Sequence, residues 1–140
     1  MLFVPGRKYR RKLLHDLFGG QRRGGISTPA KHPVIFIFTG EAGHEYGYKD
    51  GWKDAFFCYT GVGRHGDMEM AGGNRAIMDH MRNRKELHLF KMLRGPLVEY
   101  VGQMACVGVK EEYGPDEDGK ERRIFRFILM PVREGLFPML

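Results

Sequence analysis

The sequence predicts a small α+β fold, a partly open β-barrel with two short helices, on three observations. Apolar, β-branched and aromatic runs of strand length recur along the chain and are bounded by turn residues. Glycine is abundant, at 20 of 140 residues, as a chain with many turns requires. The helical stretches are too few to alternate with the strands, so the βαβ pattern of a parallel sheet is absent.

The elements are justified in chain order. Residues 7–18 read as a short amphipathic helix, with Tyr9, Leu13 and Leu17 on one face and Leu14 and Phe18 beside it. Gly19-Gly20 ends it. The loop GGQRRGGISTP follows, with Gln21, Arg22 and Arg23 between glycine pairs, so the backbone can come close to whatever the arginines bind. PVIFIFT (33–39) is a continuous apolar run and reads as a buried strand. AFFCYTG (55–61) reads as a second strand, with YGYKDGW as the turn leading in. GNRAIMDHMRNRK (73–85) reads as a helix and ELHLFKML (86–93) as a strand. LVEYVGQMACVGVKEEY (97–113) and KERRIFRFILMPV (120–132) read as two long strands, joined by the turn chemistry of GPDEDG. No repeat or linker divides the chain, and residues 1–140 suit one domain with one core.

The composition, 42% hydrophobic and 29% charged, is that of a globular protein. No apolar run approaches the length of a membrane span, and the basic N-terminus lacks the apolar stretch of a signal peptide. Cys58 and Cys106 sit in apolar strand-like runs and are expected as buried thiols of a reducing compartment. A cytoplasmic location is expected. The net charge of +6 is carried by one end. Residues 1–25 hold seven cations (Arg7, Lys8, Arg10, Arg11, Lys12, Arg22, Arg23) against Asp16, and the remaining 16 basic and 16 acidic residues cancel. A neutral domain with a basic arm points to a polyanion, most simply nucleic acid, although a solvated basic helix would show the same pattern.

Catalysis has little support. His44-Glu45, His65-Gly66-Asp67 and Asp79-His80 have no recognised ligand spacing, and HExxH, CxxC, GxSxG and P-loop patterns are absent. No metal or cofactor is expected. The segment from Glu45 to Met68 is more informative. Tyr46, Tyr48, Trp52, Phe56, Phe57 and Tyr59 surround one acid, Asp50, and one hydroxyl, Thr60. Rings around a carboxylate suit a flat heterocycle that stacks and offers an exocyclic amine, as cytosine does. Core rings beside a turn capped by Asp50 would read the same way.

The stretches GGQRRGGISTPAKHPVIFIFTGEAG, YGYKDGW, FCYTGVGRHGDMEM, GNRAIMDH, LHLF and YVGQMACVGV run from about Gly19 to Val132. In that order they resemble an SRA (SET- and RING-associated) domain, a modified-cytosine reader. The resemblance is to the bacterial branch found beside HNH nucleases in modification-dependent restriction enzymes. It implies a PUA-like, crescent-shaped β-barrel with helices outside. It implies that a modified cytosine, 5-methylcytosine or 5-hydroxymethylcytosine, is flipped out of duplex DNA and held between two rings. By motif, Tyr59 is one ring and Tyr48 the other, with Tyr46 its rival. Asp50, ten residues before Thr60, would accept from the N4 amine, and Thr60 would face the pyrimidine oxygen. Gln21, Arg22, Arg23 and Ser27 match the loop that enters the minor groove, and Asn74 and Arg75 a helix near the pocket mouth. Eukaryotic members carry a longer finger than GVGRHGDMEMAGGN, so Arg64 and His65 are expected to touch backbone instead. Tyr100-Val101-Gly102 stands where the family has YDG and is expected to be structural. No HNH pattern occurs in the sequence, so cleavage is assigned to a nuclease in cis or in trans. A homodimer and a PUA-like RNA-binding role stay open.

Overall fold

The computed structural model describes residues 3–40 and 49–132. Ten elements follow in order: β1 (Lys8–Arg10), α1 (Arg11–Phe18), β2 (Ile26–Ser27), β3 (Val34–Thr39), β4 (Gly51–Lys53), β5 (Phe56–Thr60), α2 (Gly72–Met78), β6 (Glu86–Met92), β7 (Leu97–Pro115) and β8 (Glu121–Pro131). The strands form one sheet in the order β2-β3-β6-β7-β8-β5-β4, with β1 pairing β7 off this path. β2 and β4 end the order and do not pair, so the sheet is open. This is the α+β, partly open barrel that the sequence predicts.

β7 makes the architecture. Its first part pairs with β6 and β1, and its second part pairs with β8. Two register shifts, opposite Leu89/Phe90 and at Cys106/Gly108, leave Val101 and Val107 as extra residues. Such bulges bend a strand and raise its twist, so one strand curls the sheet into a crescent. β3 and β6 pair in parallel, and residues 40–85 form the crossover between them.

The apolar run 34–39 is continuous because β3 is buried on both faces. Ile35 and Ile37 join Leu87, Leu89, Met104, Phe125, Phe127 and Leu129 in the core inside the curl. Val34, Phe36 and Phe38 point the other way, against Leu14, Phe90 and Tyr100 under α1. Phe36, Phe90 and Phe127 are fully buried, each worth roughly 1.5–3 kcal/mol in transfer from water.

The expected helix over 7–18 is shorter than its pattern. Residues 8–10 extend as β1 because they pair with Leu97, Val98 and Glu99, and α1 begins at Arg11. Its buried side is set by Leu14 and His15, while Leu13 and Leu17 lie on the exposed side. The expected helix over 73–85 ends at Met78. The chain then turns, and Arg84 takes a left-handed φ of 56°. His80 ends the segment with two bonds. Its Nδ1–H donates to the Lys85 carbonyl at 2.8 Å, and its Nε2 accepts from the Cys106 N–H at 2.9 Å. β1, β2 and β4 carry too few residues to show a period.

His88 is likewise fixed as neutral. Nε2–H donates to Glu86 Oε1 at 2.9 Å, and Nδ1 accepts from the Tyr100 hydroxyl at 2.7 Å. His15 accepts from Arg11 Nε at 3.1 Å and donates to the Gly19 carbonyl. Burial pushes the pKa of all three imidazoles down from the usual value. The unfolded chain therefore protonates first as pH falls. The stability these histidines contribute is whole above pH ~6.5 and is lost on the way down towards the folded-state values. A thermal melting midpoint that drops between about pH 7.5 and about pH 5 is the expected outcome. A flat midpoint across that window would contradict the neutral assignments.

Candidate nucleic-acid interface

The open seam of the barrel is where the aromatic segment returns. Asp50 stands just before β4, with one carboxylate oxygen accepting from the Thr39 hydroxyl at 2.7 Å and the other from the Thr60 N–H at 2.7 Å. The acid thus joins the end of β3 to the end of β5. Each oxygen has a second lone pair left for a ligand. Asp50 lines a cavity of about 690 Å³ with Thr39, Trp52, Phe57, Lys91 and Arg94 among its walls.

Tyr59 is placed differently from the expectation. It is 2% exposed and belongs to the inner core, and it does not line that cavity. Its hydroxyl donates to the Gly25 carbonyl at 2.8 Å and lies 3.1 Å from the Phe38 carbonyl, so it staples β5 to β3 across the seam. Burial pushes its pKa far up, and the Asp50 carboxylate adds to this, so it stays a donor. The alternation Phe57, Tyr59 puts both on the core side. Gly25 is required here, since a Cβ would stand 2.8 Å from the Tyr59 hydroxyl oxygen. Thr60 is half-buried, and its Oγ1 is buried without a partner. Tyr46 and Tyr48 lie outside the described residues.

Two expected DNA contacts are corrected. Ser27 is fully buried in β2, and its hydroxyl meets no partner and no solvent. Asn74 is 2% exposed. Its Oδ1 accepts from the Val62 N–H at 2.9 Å, and its amide nitrogen donates to the Val62 and Glu69 carbonyls at 3.0 Å each. It clamps the loop after β5, and Gly61 leaves room for it, since a Cβ there would stand 2.8 Å from Asn74 Oδ1.

The remaining candidates are on the surface. Gln21 folds back on Thr28, accepting from its N–H at 2.7 Å. Arg22 pairs with Asp16 at 3.0 Å, as Lys12 does at 2.9 Å. Arg23 is exposed and has no ion pair among the described residues, and the same holds for Arg7, Lys8 and Arg10. Arg11 is structural. Its guanidinium stacks 3.8 Å over the Phe38 ring and donates to the Gly24 carbonyl, which holds the arginine loop to the barrel. Arg75 is exposed, bonding the Met70 carbonyl and lying 3.7 Å from Asp79. Arg64 is exposed, and its carbonyl accepts from Glu117. His65 is exposed and pairs with acids, 3.0 Å from Asp118 and 3.4 Å from Glu117.

His65, Asp116 and Asp118 bring metal-ligand atoms within 4.8 Å of one another. Asp116 spends its oxygens on the N–H groups of Gly66, Asp118 and Lys120. It therefore acts as the closing residue of the β7–β8 turn, and these bonds, the Lys120 one first, hold its pKa below the usual range. Cys106 is buried and Cys58 half-buried, both as free thiols. The Cys58 sulfur accepts from Arg126 Nε at 3.2 Å.

Sequence reasoning passed over Lys91 and Arg94 as wall residues, and counted Trp52 among the rings around Asp50 without giving it a role in the pocket. Trp52 looked like part of a turn. Lys91 and Arg94 close a strand far away in sequence, and only the parallel β3–β6 pairing brings them to Thr39. No helix among the described residues is long and apolar enough to cross a membrane.

A partly open barrel with a cavity at its seam that holds a fixed carboxylate beside two cations, and with a basic arm, is the outline of a nucleic-acid-binding barrel. The ScoMcrA-like SRA domain family matches residues 5–136, and the chain belongs to that family. No curated protein matches it at a significant level. Among solved structures it is similar to the sulfur-binding and SRA domains of ScoMcrA complexed with phosphorothioated DNA, at 23% identity and a TM-score of 0.75. That similarity covers 96% of this chain and 41% of the other. It is similar to the SRA domain of SUVH5 with hemimethylated CG DNA, at 19% identity and a TM-score of 0.66, covering 94% and 89%. It is also similar to the DNA modification-dependent restriction endonuclease AspBHI, at 18% identity and a TM-score of 0.64, covering 86% and 37%. The chain thus spans well under half of the two restriction proteins.

Asn74→Ala is expected to act as a stability mutation. It removes the partner of part-buried backbone groups of Val62 and Glu69, at a cost of about 1–2 kcal/mol. Urea denaturation measures this, and a variant as stable as wild type would return Asn74 to the list of surface contacts.

Proposed function

We propose that this domain reads a modified base in duplex DNA by flipping a cytosine carrying a 5-methyl or 5-hydroxymethyl group into the cavity at the barrel seam. The observation that carries the reading is Asp50. Its carboxylate is fixed on the cavity wall by Thr39 and Thr60, with lone pairs left for an exocyclic amine. Membership of the SRA family and the solved relatives bound to modified DNA support it. Tyr59 then acts behind the pocket, and the stacking rings are sought in Tyr46, Tyr48 and Trp52.

The energetics set the scale. Extruding a base costs a few kcal/mol. Stacking returns roughly 1–3 kcal/mol per base. A buried 5-methyl adds about 0.8 kcal/mol, which is about fourfold in affinity. Arg7, Lys8, Arg10 and Arg23 supply phosphate contacts, so total affinity falls steeply with salt. The domain itself cuts nothing in this reading. It supplies the address for a cytoplasmic nuclease, of the HNH type, in cis or in trans.

The test is a titration at fixed salt with one duplex bearing cytosine, 5-methylcytosine, 5-hydroxymethylcytosine or a phosphorothioate linkage. Wild type is expected to prefer a modified-cytosine duplex severalfold. Asp50→Asn, which replaces one of the two acceptor oxygens by an NH2 donor, is expected to erase that preference and to keep the salt-dependent background. Preference for the phosphorothioate, or strongest competition by single-stranded RNA, would replace this reading.

A further inference from the structure

The cavity at the seam is larger and more cationic than a base alone requires. At about 690 Å³ it is in the range that holds a drug-sized molecule, roughly 300–1,000 Å³. A whole nucleotide is of that size, and a bare pyrimidine is far smaller. Among the described residues of its wall, Asp50 is the one acid, against two cations, Lys91 and Arg94. Both cations are exposed, and neither has an ion pair among the described residues. Lys91 ends the parallel run of β6 beside Thr39, the residue that holds Asp50. Arg94 follows in the β6–β7 turn. Trp52, 53% exposed, lines the same cavity, with its ring edge-on to Phe57 at 5.4 Å.

A flipped base cannot arrive alone. The phosphates on its 5′ and 3′ sides are covalently joined to its sugar and must come to the mouth of whatever pocket takes it. There they meet a wall that offers unpaired cations. We propose that Lys91 and Arg94 clamp the phosphates flanking the flipped nucleotide, and that Trp52 lays its ring against that nucleotide. The site thus takes a nucleotide as a unit, with Asp50 on the base edge and the β6–β7 turn on the backbone. This rests on the flipped-base reading above. It adds a set of contacts made only when the base is out, so they contribute to discrimination as well as to affinity.

The chain contains one tryptophan, so fluorescence excited at the red edge, beyond tyrosine absorption, reports Trp52 alone. Wild type and the double variant Lys91→Gln/Arg94→Gln are titrated with the cytosine duplex and with whichever modified duplex binds best, at several salt concentrations. For wild type, the modified duplex is expected to quench Trp52 more strongly. Its salt slope is expected to be steeper than that of the cytosine duplex, by about 0.9 for each added phosphate. The double variant is expected to lose that extra slope and to bring the modified-to-unmodified affinity ratio from severalfold down towards one. Thermal melting of the variant at the wild-type midpoint excludes misfolding, since both side chains are on the surface. A variant that loses affinity equally for both duplexes, or keeps the ratio, overturns the clamp and leaves the flipped-base reading standing. A wild type that binds both duplexes alike, with equal slopes, overturns the reading and the clamp together.

Discussion

A barrel that does not close has to be held at its gap by something other than strand pairing. Here three side chains do it. Tyr59 reaches from β5 to the carbonyls of Gly25 and Phe38, and Asp50 ties Thr39 to Thr60. A backbone ladder would fill the gap with peptide groups. Side-chain bridges leave a hollow beside them, and the cavity walled by Asp50, Trp52 and Phe57 is that hollow. The candidate site and the unpaired seam of the sheet are therefore one place. The deep burial that keeps the Tyr59 hydroxyl protonated keeps the bridge made across the physiological pH range.

The same bridge joins two regions that the sequence separates. Gly25 ends the loop that carries Arg22 and Arg23, and Gly24 of that loop accepts from Arg11. The C-terminal end of the arginine loop is thus fastened both to Arg11 of α1, through Gly24, and to Tyr59 behind the pocket, through Gly25. Rigid placement of charge matters for a reader of flipped bases, because the groups that replace the base in the duplex and the groups that receive it must act at a fixed separation.

Much of the frame was legible because strong patterns wrote it. The run 34–39 and the long strands β7 and β8 stand within two residues of their expected limits, since burial on one or both faces leaves an unmistakable apolar signature. The short strands were not legible. β1, β2 and β4 hold two or three residues, and the partner strand decides their state. The site was legible in part. Asp50 stood out because an acid among rings is rare, and it does line the cavity. Ser27 and Asn74 misled because a polar side chain in a loop motif looks like a contact until its burial is known. Asn74 belongs to the backbone of Val62 and Glu69, a partnership that no local pattern announces. Tyr59 was half legible, since its alternation with Phe57 pointed to the core while its motif pointed to the ligand. Lys91 and Arg94 became wall residues only through a parallel pairing across the crossover.

That crossover has a consequence for how such a protein can change. Residues 40–85 leave β3 and return to β6, strands that lie side by side at about 4.8 Å. Asp50, Trp52, Thr60 and the finger all ride on this excursion, and its two ends are pinned by the ladder whatever its contents. Closing a loop costs only about 0.6 kcal/mol more for each doubling of its length. Insertions and deletions within it are thus thermodynamically mild, provided β5 still finds β8. The short finger between β5 and α2 is one setting of a cassette whose length can drift while the sheet around it holds its register.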